Sequence, residues 1–441
     1  MKRILIAGTH SGCGKTTVTL AILSALQRRG WKTASCKCGP DYIDPMFHRS
    51  VLGVTARNLD PFFSTPEQLC SQLSAVDADI AVLEGVMGYY DGLGVSSQCS
   101  TWSVADATDT PAILVVNGRG MSASAGAILK GFLDYMPRSH IAGVIFNGVS
   151  PKMEPVFSRI AEQNGLVCLG CLPQEERVAL SSRHLGLVTA QELPQLQEKL
   201  DILAQLAEEN LHLDALLSLA AETKVEASPA MPAPKVRLAV AKDAAFCFVY
   251  PENLQLLQQH GCEIVPFSPL RDAHLPENVQ GLYLPGGYPE LHLKELSQNV
   301  ILRSELRRAI LAGLPTLAEC GGFLYLHETL AGESMVGVFP GNAYETKRLH
   351  RFGYVQLTAK TDNLLCPPGG TIRAHEFHYW DSPDCGSDVI AAKAGTGREY
   401  LCIHGTPTLW AGFPHLYFPA NPEFAASFVR HMEEYVCHIS F

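Results

Sequence analysis

The chain has 441 residues, a length that predicts two or three domains, each large enough to bury its own core. Its 34 Lys and Arg against 44 Asp and Glu give a formal net charge of −10, which argues against a general nucleic-acid-binding protein. Neither a membrane span nor a signal peptide is expected, because the apolar runs are too short. The 14 cysteines lie scattered in apolar segments, so we expect a cytoplasmic protein with free, mostly buried thiols.

The first half of the chain alternates strand-like and helix-like segments. Strands are predicted at 2–7, 80–83, 112–116 and 141–146. Helices are predicted at about 15–29 and 124–135, and residues 191–222 are rich in helical pattern. Continuous apolar strands that alternate with helices predict an α/β domain whose parallel sheet is covered on both faces.

A proline- and alanine-rich stretch at 223–235 breaks this pattern and predicts an interdomain linker. A second α/β series follows it. Its predicted strands are 236–241, 263–266, 281–284, 315–318, 354–357 and 401–403. The predicted domains are therefore 1–222 and 236–441.

The sequence GTHSGCGKTT at 8–17 follows the first predicted strand and opens the first predicted helix, as a phosphate-binding loop does. Gly12 and Gly14 let backbone N–H groups wrap phosphate oxygens beside the positive end of the helix dipole. Lys15 is predicted to reach the β- and γ-phosphates of ATP, and Thr16 to hold Mg²⁺. An ordinary glycine turn before a helix is the alternative interpretation.

Further residues define the same predicted nucleotide site. The strict pattern has glycine at position 9, where this chain has Thr9, and Gly8 lies one place earlier. This spacing resembles the loop of dethiobiotin synthetase and its relatives. Thr17 continues the loop and is predicted to bind the nucleotide. Asn147, at the end of a predicted strand, is a candidate reader of adenine, with a strand-end turn as the alternative.

Four acidic residues lie in loops shaped by glycine or proline. Asp41 and Asp44 lie in a proline-bounded loop, Glu84 ends a buried apolar run, and Asp91 precedes Gly92. An acid at the carboxyl end of a parallel strand beside a phosphate loop usually manages Mg²⁺. Any one of these acids, taken alone, is explained equally well as a solvated loop residue. Together they predict a phosphoryl-transfer site in which Glu84 is a Mg²⁺ ligand.

The second half contains a candidate nucleophilic cysteine in the segment LPTLAECGG at 314–322. A strand that ends at Cys320, with two glycines leading into a helix, predicts a nucleophile elbow whose helix N-terminus lowers the thiol pKa. The N–H groups of Gly321 and Gly287 are predicted to form an oxyanion hole. His415 is the predicted base. The alternative for the cysteine is a small buried apolar side chain.

A role without a metal is favoured for the other histidines, and metal binding or redox function is the alternative for the one CxxC. The competing histidines His375, His378 and His404 lack a full zinc-ligand set around them. Cys168 and Cys171 form a single CxxC without a partner pair, so we expect two core thiols.

These motifs, in this order, resemble the cobyrinate a,c-diamide synthase family of corrinoid biosynthesis along essentially the whole chain. The segments that carry the resemblance are GTHSGCGKTT (8–17), KCGPDYIDP (37–45), VLEGVMGYYDG (82–92), RHLGL (183–187), AVAKDAAFCFVYPENL (239–254), LPGGYPE (284–290), AECGGFLYL (318–326) and HEFHY (375–379). The resemblance implies a dethiobiotin-synthetase-like P-loop domain followed by a class I glutamine amidotransferase-like domain.

The resemblance also implies the reaction. Cys320 would attack the glutamine side-chain amide and free ammonia, while the first domain would use ATP and Mg²⁺ to phosphorylate the a and c carboxylates of a corrinoid. Asp41, Asp44, Glu84 and Asp91 match the family residues that matter for this phosphorylation. The expected small-molecule partners are the tetrapyrrole polycarboxylate, ATP and glutamine. Neither nucleic acid nor a membrane is an expected partner, and both a monomer and a homodimer are left open.

One position departs from the class I pattern. Typical class I glutaminases carry a glutamate two residues after the histidine, whereas this chain has Tyr417, so the sequence shows no group that orients His415.

Three alternatives remain open for the function. The same chemistry on hydrogenobyrinic acid or nickel sirohydrochlorin is one. Cobyric acid synthase is another relative, although the loop at 12–17 and GPDYIDP favour the a,c-diamide branch. A P-loop ATPase switch with a non-catalytic glutaminase-like domain is the more distant alternative.

Overall fold

The computed structural model describes residues 1–178, 193–226, 231–349 and 351–435. Two compact units, Met1–Ser228 and Pro229–Phe441, divide within the stretch predicted to be a linker. Within the described ranges, helices of the length and apolarity needed to cross a bilayer are absent.

The first unit is built on a sheet whose strands run parallel except for the last. The strands are β1 (Lys2–Gly8), β2 (Thr33–Cys38), β3 (Thr55–Leu59), β4 (Ile80–Glu84), β5 (Ala112–Asn117), β6 (Ile141–Asn147), β7 (Val167–Leu172) and β8 (Ala221–Glu222). Their order is β3-β2-β4-β1-β5-β6-β7, and β8 pairs antiparallel with the start of β1. Because the seven long strands are parallel, their carboxyl ends meet at one edge of the sheet.

Helices cover both faces of this sheet. They are α1 (Lys15–Arg28), α2 (Ile43–Phe47), α3 (Pro66–Ser74), α4 (Thr101–Thr108), α5 (Ser124–Asp134), α6 (Glu154–Gln163), α7 (Leu193–Asn210) and α8 (Leu213–Leu219). Ile4 and Ile6 of β1 pack in one core with α1 and α7, whereas Leu5 and Ala7 pack in the core on the other face. This two-sided burial explains why the strands are continuous apolar runs.

The second unit combines a mainly parallel sheet with antiparallel ones. The strands are β9 (Val236–Ala241), β10 (Cys262–Phe267), β11 (Gly281–Leu284), β12 (Thr316–Glu319), β13 (His327–Leu330), β14 (Glu333–Ser334), β15 (Phe339–Glu345), β16 (Arg351–Ala359), β17 (Thr371–His378), β18 (Trp380–Asp381), β19 (Val389–Lys393), β20 (Glu399–Cys402), β21 (His404–Thr406), β22 (Leu409–Gly412) and β23 (His415–Leu416). The central sheet has the order β10-β9-β11-β12-β22-β21 and is parallel except for β21.

The described part of the second unit also contains two further sheets and five α-helices. The sheets have the orders β20-β19-β16-β17-β23 and β14-β13-β15-β18. The helices are α9 (Pro251–Gln259), α10 (Leu293–Gln298), α11 (Val300–Leu311), α12 (Gly321–Tyr325) and α13 (Pro422–Glu434). The predicted strands of both halves are present; 236–241 and 281–284 have the predicted ends, and the ends of the others differ by at most three residues.

Candidate functional site

The loop between β1 and α1 has the backbone of a phosphate cradle. Gly14, which caps α1, has φ +102°, a left-handed conformation that favours glycine. A Cβ at this position would lie 2.0 Å from Nδ2 of Asn147. Asn147 Nδ2 donates a hydrogen bond of 3.0 Å to the carbonyl oxygen of Cys13. The structure therefore places Asn147 against the loop, and its contact with adenine stays a prediction.

Lys15 is the buried cation of this loop. Its Nζ donates to the carbonyl oxygens of His10, at 3.2 Å, and of Met87. Burial lowers the pKa of Lys15. The ammonium group is thus held inside the loop by carbonyl groups. Thr17 lies in the first turn of α1, and Gly12 has φ +82° on the exposed side of the loop.

We expect Gly14→Ala to weaken ATP binding by at least about tenfold, because the left-handed backbone is strained for alanine and the added methyl group would displace Asn147. Equilibrium titration with ATP measures this loss. Gly131→Ala is the matched control, because Gly131 lies in α5 with open space where a Cβ would be. An unchanged Kd for ATP in the Gly14 variant would contradict the assignment of the loop.

Next to the loop, a buried cluster joins three of the predicted residues. The Thr16 hydroxyl donates to Oε1 of Glu84 at 2.6 Å. The Nζ of Lys37 lies 3.0 Å from the same oxygen and also contacts Asp44. Asp41 is at the edge of the cluster, with Oδ2 4.0 Å from Lys37 Nζ. Register explains the meeting, because Lys37 of β2 pairs with Glu84 of β4 at the carboxyl edge.

Lys37 is not among the residues that the motifs predict for this site. Its signal is a lysine near the end of the otherwise uncharged strand β2, where burial of a cation demands partners. Burial alone would lower its pKa, but the carboxylates of Glu84, Asp44 and Asp41 outweigh burial and raise it. Lys37 is therefore a charged group that balances the acids.

The acids of the cluster respond to burial in different ways. Burial raises the pKa of Glu84 to about 7, and Asp44 adds to this effect. Burial and the neighbouring Asp44 also raise the pKa of Asp41. Burial opposes ionisation of Asp44 too, but Lys37 outweighs it and holds the pKa of Asp44 below its ordinary value. The buried His48 is also a neighbour of Glu84, with 3.7 Å between its Nε2 and Oε2 of Glu84.

Asp91 lies at the loop itself and not within the Lys37 cluster. Its Oδ2 accepts the Gly88 N–H at 2.8 Å, and its charge acts on Lys15. A Cβ on Gly88 would be 3.1 Å from the carbonyl oxygen of Thr9, so this turn packs against the phosphate loop. Three acids thus lie around Lys37, and the fourth, Asp91, acts on Lys15 of the loop.

The donor set suits Mg²⁺ held jointly by protein and phosphate. Thr16 and Glu84 offer a hydroxyl and a carboxylate oxygen, which are ligands that Mg²⁺ prefers. Among the described residues, groups of three or more His, Cys, Asp or Glu side chains that would enclose a metal are absent. Mg²⁺ usually takes one or two protein ligands and completes its shell with phosphate oxygens and water. Lys37 and Thr16 both contact Oε1 of Glu84, so Oε2 is the carboxylate oxygen that these two groups leave open to a cation.

In the second unit, Cys320 occupies a sharp turn between β12 and α12. It has φ +45° and ψ −102°, a strained conformation for a residue other than glycine, and its N–H donates to the carbonyl of Gly412 at 2.8 Å. A Cβ on Gly321 would lie 2.9 Å from the backbone nitrogen of Gly287. The two predicted oxyanion donors are therefore adjacent. This is the geometry of a nucleophile elbow.

His415 is brought to the same place by β23. It pairs in register with His375 of β17. A Cβ on Gly286 would lie 2.3 Å from Cε1 of His415, so the ring packs against the turn that carries Gly287. Its Nδ1 lies 4.0 Å from Oε2 of Glu319. Burial lowers the pKa of His415 to about 3, which keeps the imidazole neutral.

The expected lowering of the thiol pKa is wrong. Burial raises the pKa of Cys320, and the nearby charge of Glu290 raises it further. The Gly321 N–H acts in the opposite direction but is outweighed, and α12 is only five residues long. Burial also raises the pKa of Glu290 to about 7. The thiol therefore depends on a base to lose its proton.

Several histidines and cysteines that were considered as metal ligands from the sequence make different contacts in the structure. His378 stacks on Phe413 at 3.9 Å between ring centroids, and His404 lies 4.4 Å from the Phe339 ring. Cys168 and Cys171 are free thiols, as are the other cysteines in the described part of the chain. The RHLGL motif at 183–187 lies outside the described residues.

Comparisons with known proteins place both units in families. Residues 4–188 match the model of a CobQ/CobB/MinD/ParA nucleotide binding domain, and residues 237–422 match that of a CobB/CobQ-like glutamine amidotransferase domain. The chain is 41% identical to a cobyrinate a,c-diamide synthase of Salmonella typhimurium, with 95% of each chain covered. It is 37% identical to that of Clostridium acetobutylicum over 98% of this chain and 100% of the other.

The relative from Listeria innocua, with the same name, is 38% identical over 96% of this chain and 97% of its own. These matches confirm the predicted order of an α/β nucleotide-binding domain followed by an amidotransferase domain. They also confirm the predicted enzyme class. The chain belongs to the cobyrinate a,c-diamide synthase family of glutamine-dependent amidating ligases.

Proposed function

We propose that the enzyme amidates the a and c carboxylates of cobyrinic acid through acyl phosphates, with ammonia from glutamine. The observation that carries this proposal is that one chain holds a buried acid–lysine cluster beside a phosphate loop and a strained thiol elbow beside a neutral histidine. The first arrangement suits phosphoryl transfer, and the second suits amide hydrolysis through a thioester. We also propose that the two activities lie in domains 1–222 and 236–441, joined by 223–235.

Activation of the carboxylate is proposed for the first domain. A substrate carboxylate oxygen bonds to the γ-phosphorus of ATP, and the bond to the ADP oxygen breaks. The loop N–H groups and Lys15 hold the phosphates. Mg²⁺, held by Thr16 and Glu84, would neutralise phosphate charge. Asp44 and Asp41 hold Lys37 in place.

Ammonia production is proposed for the second domain. His415 takes the thiol proton, and Cys320 Sγ bonds to the glutamine amide carbon while Gly321 and Gly287 N–H groups stabilise the oxyanion. The C–N bond breaks, the nitrogen takes the proton from His415, and water hydrolyses the thioester. Ammonia then bonds to the acyl carbon of the activated carboxylate, and phosphate leaves.

Isotope transfer tests the acyl phosphate directly. Cobyrinic acid with ¹⁸O in its carboxylates is expected to pass one ¹⁸O to phosphate for each amide formed, because the attacking oxygen leaves with the phosphoryl group. Mass spectrometry of the released phosphate measures this ratio. Phosphate free of ¹⁸O alongside formed amide would overturn the proposed intermediate.

We expect Asp44→Asn to slow carboxylate activation by about 100-fold and to leave glutamine hydrolysis unchanged. Lys37 is shared between Asp44 and Glu84. Loss of the Asp44 charge therefore strengthens the ion pair between Lys37 and Glu84, the proposed Mg²⁺ ligand. Phosphate release with ammonia as the nitrogen donor measures the effect. Asp106→Asn is the control, since Asp106 pairs with Arg138 away from the loop. An unchanged rate would remove Asp44 from the site.

A further inference from the structure

A carboxylate occupies the position directly before the nucleophile. Glu319 is the last residue of β12 and is 1% exposed. Its Oε1 accepts the N–H of Leu416 at 2.9 Å, and Leu416 directly follows His415. Its Oε2 accepts the Tyr283 hydroxyl at 2.8 Å and lies 4.0 Å from His415 Nδ1. One side chain therefore connects the strand of the nucleophile with the strand of the base.

This connection follows from the order of the parallel sheet. Strands β11 and β22 flank β12, so Tyr283 of β11 lies beside the end of β12. The chain turns from the end of β22 into β23, which brings His415 and Leu416 over the same edge. Burying a carboxylate here is costly unless its oxygens are satisfied, and both of them are.

The position that carries the acid in typical class I glutaminases is filled differently. Tyr417 is buried and packs edge-on against Tyr250 at 5.2 Å between ring centroids. A tyrosine there does not supply a carboxylate to the imidazole. The carboxylate of Glu319, in contrast, lies 4.0 Å from Nδ1 of His415.

We propose that Glu319 is the positioning residue of the thiol site, and that it orients the His415 imidazole and stabilises the imidazolium formed during glutamine hydrolysis. The role rests on the proposed function of Cys320 and His415. When one ring nitrogen takes the thiol proton, Nδ1 carries the other proton and faces Glu319. The same proton later goes to the leaving nitrogen, so Glu319 itself gains and loses no proton.

A purely electrostatic neighbour of the thiol would behave in the opposite way. The charge of Glu319 by itself raises the pKa of Cys320, so its removal alone would make the thiolate easier to form. If Glu319 acts through His415, its removal makes the base weaker and the thiolate harder to form. The rate at which iodoacetamide alkylates Cys320 therefore distinguishes the two roles.

The experiment compares Glu319→Gln and Glu319→Asp with the unmodified full chain. Assays run at about pH 9, because burial raises the pKa of Glu319 to about 8 and the carboxyl must be ionised. We expect Glu319→Gln to lower kcat for glutamine hydrolysis by about 10- to 100-fold, with KM changed less than about twofold. Alkylation of Cys320, followed by peptide mass spectrometry, is expected to slow. Glu319→Asp is expected to recover part of the lost kcat.

The control is Glu305→Gln, which removes another acid that accepts a backbone N–H, that of Leu275, away from the elbow. Unchanged kcat or faster alkylation in Glu319→Gln, beside normal hydrolysis by the unmodified chain, would overturn the role of Glu319 and leave the proposed function intact. An equal loss of kcat in Glu305→Gln would also overturn it. Failure of the unmodified chain to hydrolyse glutamine would overturn the proposed function as well.

Discussion

Cys320→Ala is expected to lower glutamine-dependent amidation by about 10⁴-fold or more, because the thioester route needs the sulfur. Amidation with free ammonia is expected to stay within about twofold, since the acid–lysine cluster and the phosphate loop belong to the other unit. Product formation with each nitrogen source, measured by mass spectrometry, gives the two rates. The ratio of the rates isolates the glutaminase step from carboxylate activation.

Cys366→Ala is the matched control for this change. Cys366 is another buried free thiol of the same unit, in contact with Asn363 and not with the elbow. Both activities are expected to survive in that variant. Loss of both activities in a folded Cys320 variant would contradict the division of labour, as would full glutamine-dependent activity.

Glu84→Gln is expected to reduce ATP-dependent carboxylate activation by about 10³-fold, because it removes the buried carboxylate that accepts from Thr16 and pairs with Lys37. Glutamine hydrolysis is expected to remain. Phosphate release with ammonia as donor measures the loss. Asp77→Asn is the control, because Asp77 forms only an exposed pair with Lys32 in the same unit. Equal activity of the Glu84 variant and the control would contradict the assignment.

The same residue gives a pH dependence with a defined sign. Burial raises the pKa of Glu84 to about 7, so below that pH the carboxyl is mainly protonated. Mg²⁺ binds the ionised form and competes with the proton. Affinity for Mg²⁺ in the presence of ATP should therefore rise as the pH increases through about 7. The Glu84→Gln variant should show a smaller rise, because only the ATP phosphates then titrate in this range.

The strands and helices that build both sites could be predicted because their signals are local. The apolar run of β1, the glycines after it and the first turn of α1 are contiguous in sequence, and the structure has them as predicted. The elbow at Cys320 is likewise local, since a strand, a cysteine and two glycines lie side by side. Parallel topology then explains why distant strand ends meet.

The residues that motifs did not predict depend on register between distant strands. Lys37 meets Glu84 because β2 lies beside β4. Glu319 reaches Leu416 because β12 lies beside β22, from which the chain turns into β23. The spacing of these residues along the chain does not predict either contact. The raised pKa of Cys320 also depends on three-dimensional burial, which a short helix does not offset.

The mass of the product distinguishes the proposed amidation of cobyrinic acid from its alternatives. The enzyme is incubated with ATP, Mg²⁺ and glutamine and with cobyrinic acid, hydrogenobyrinic acid or nickel sirohydrochlorin. Two successive mass shifts, each of one amide, are expected with cobyrinic acid. Two shifts with another macrocycle instead would contradict the proposed acceptor. The absence of any shift and of glutamine hydrolysis would contradict the amidation itself and favour an ATPase switch.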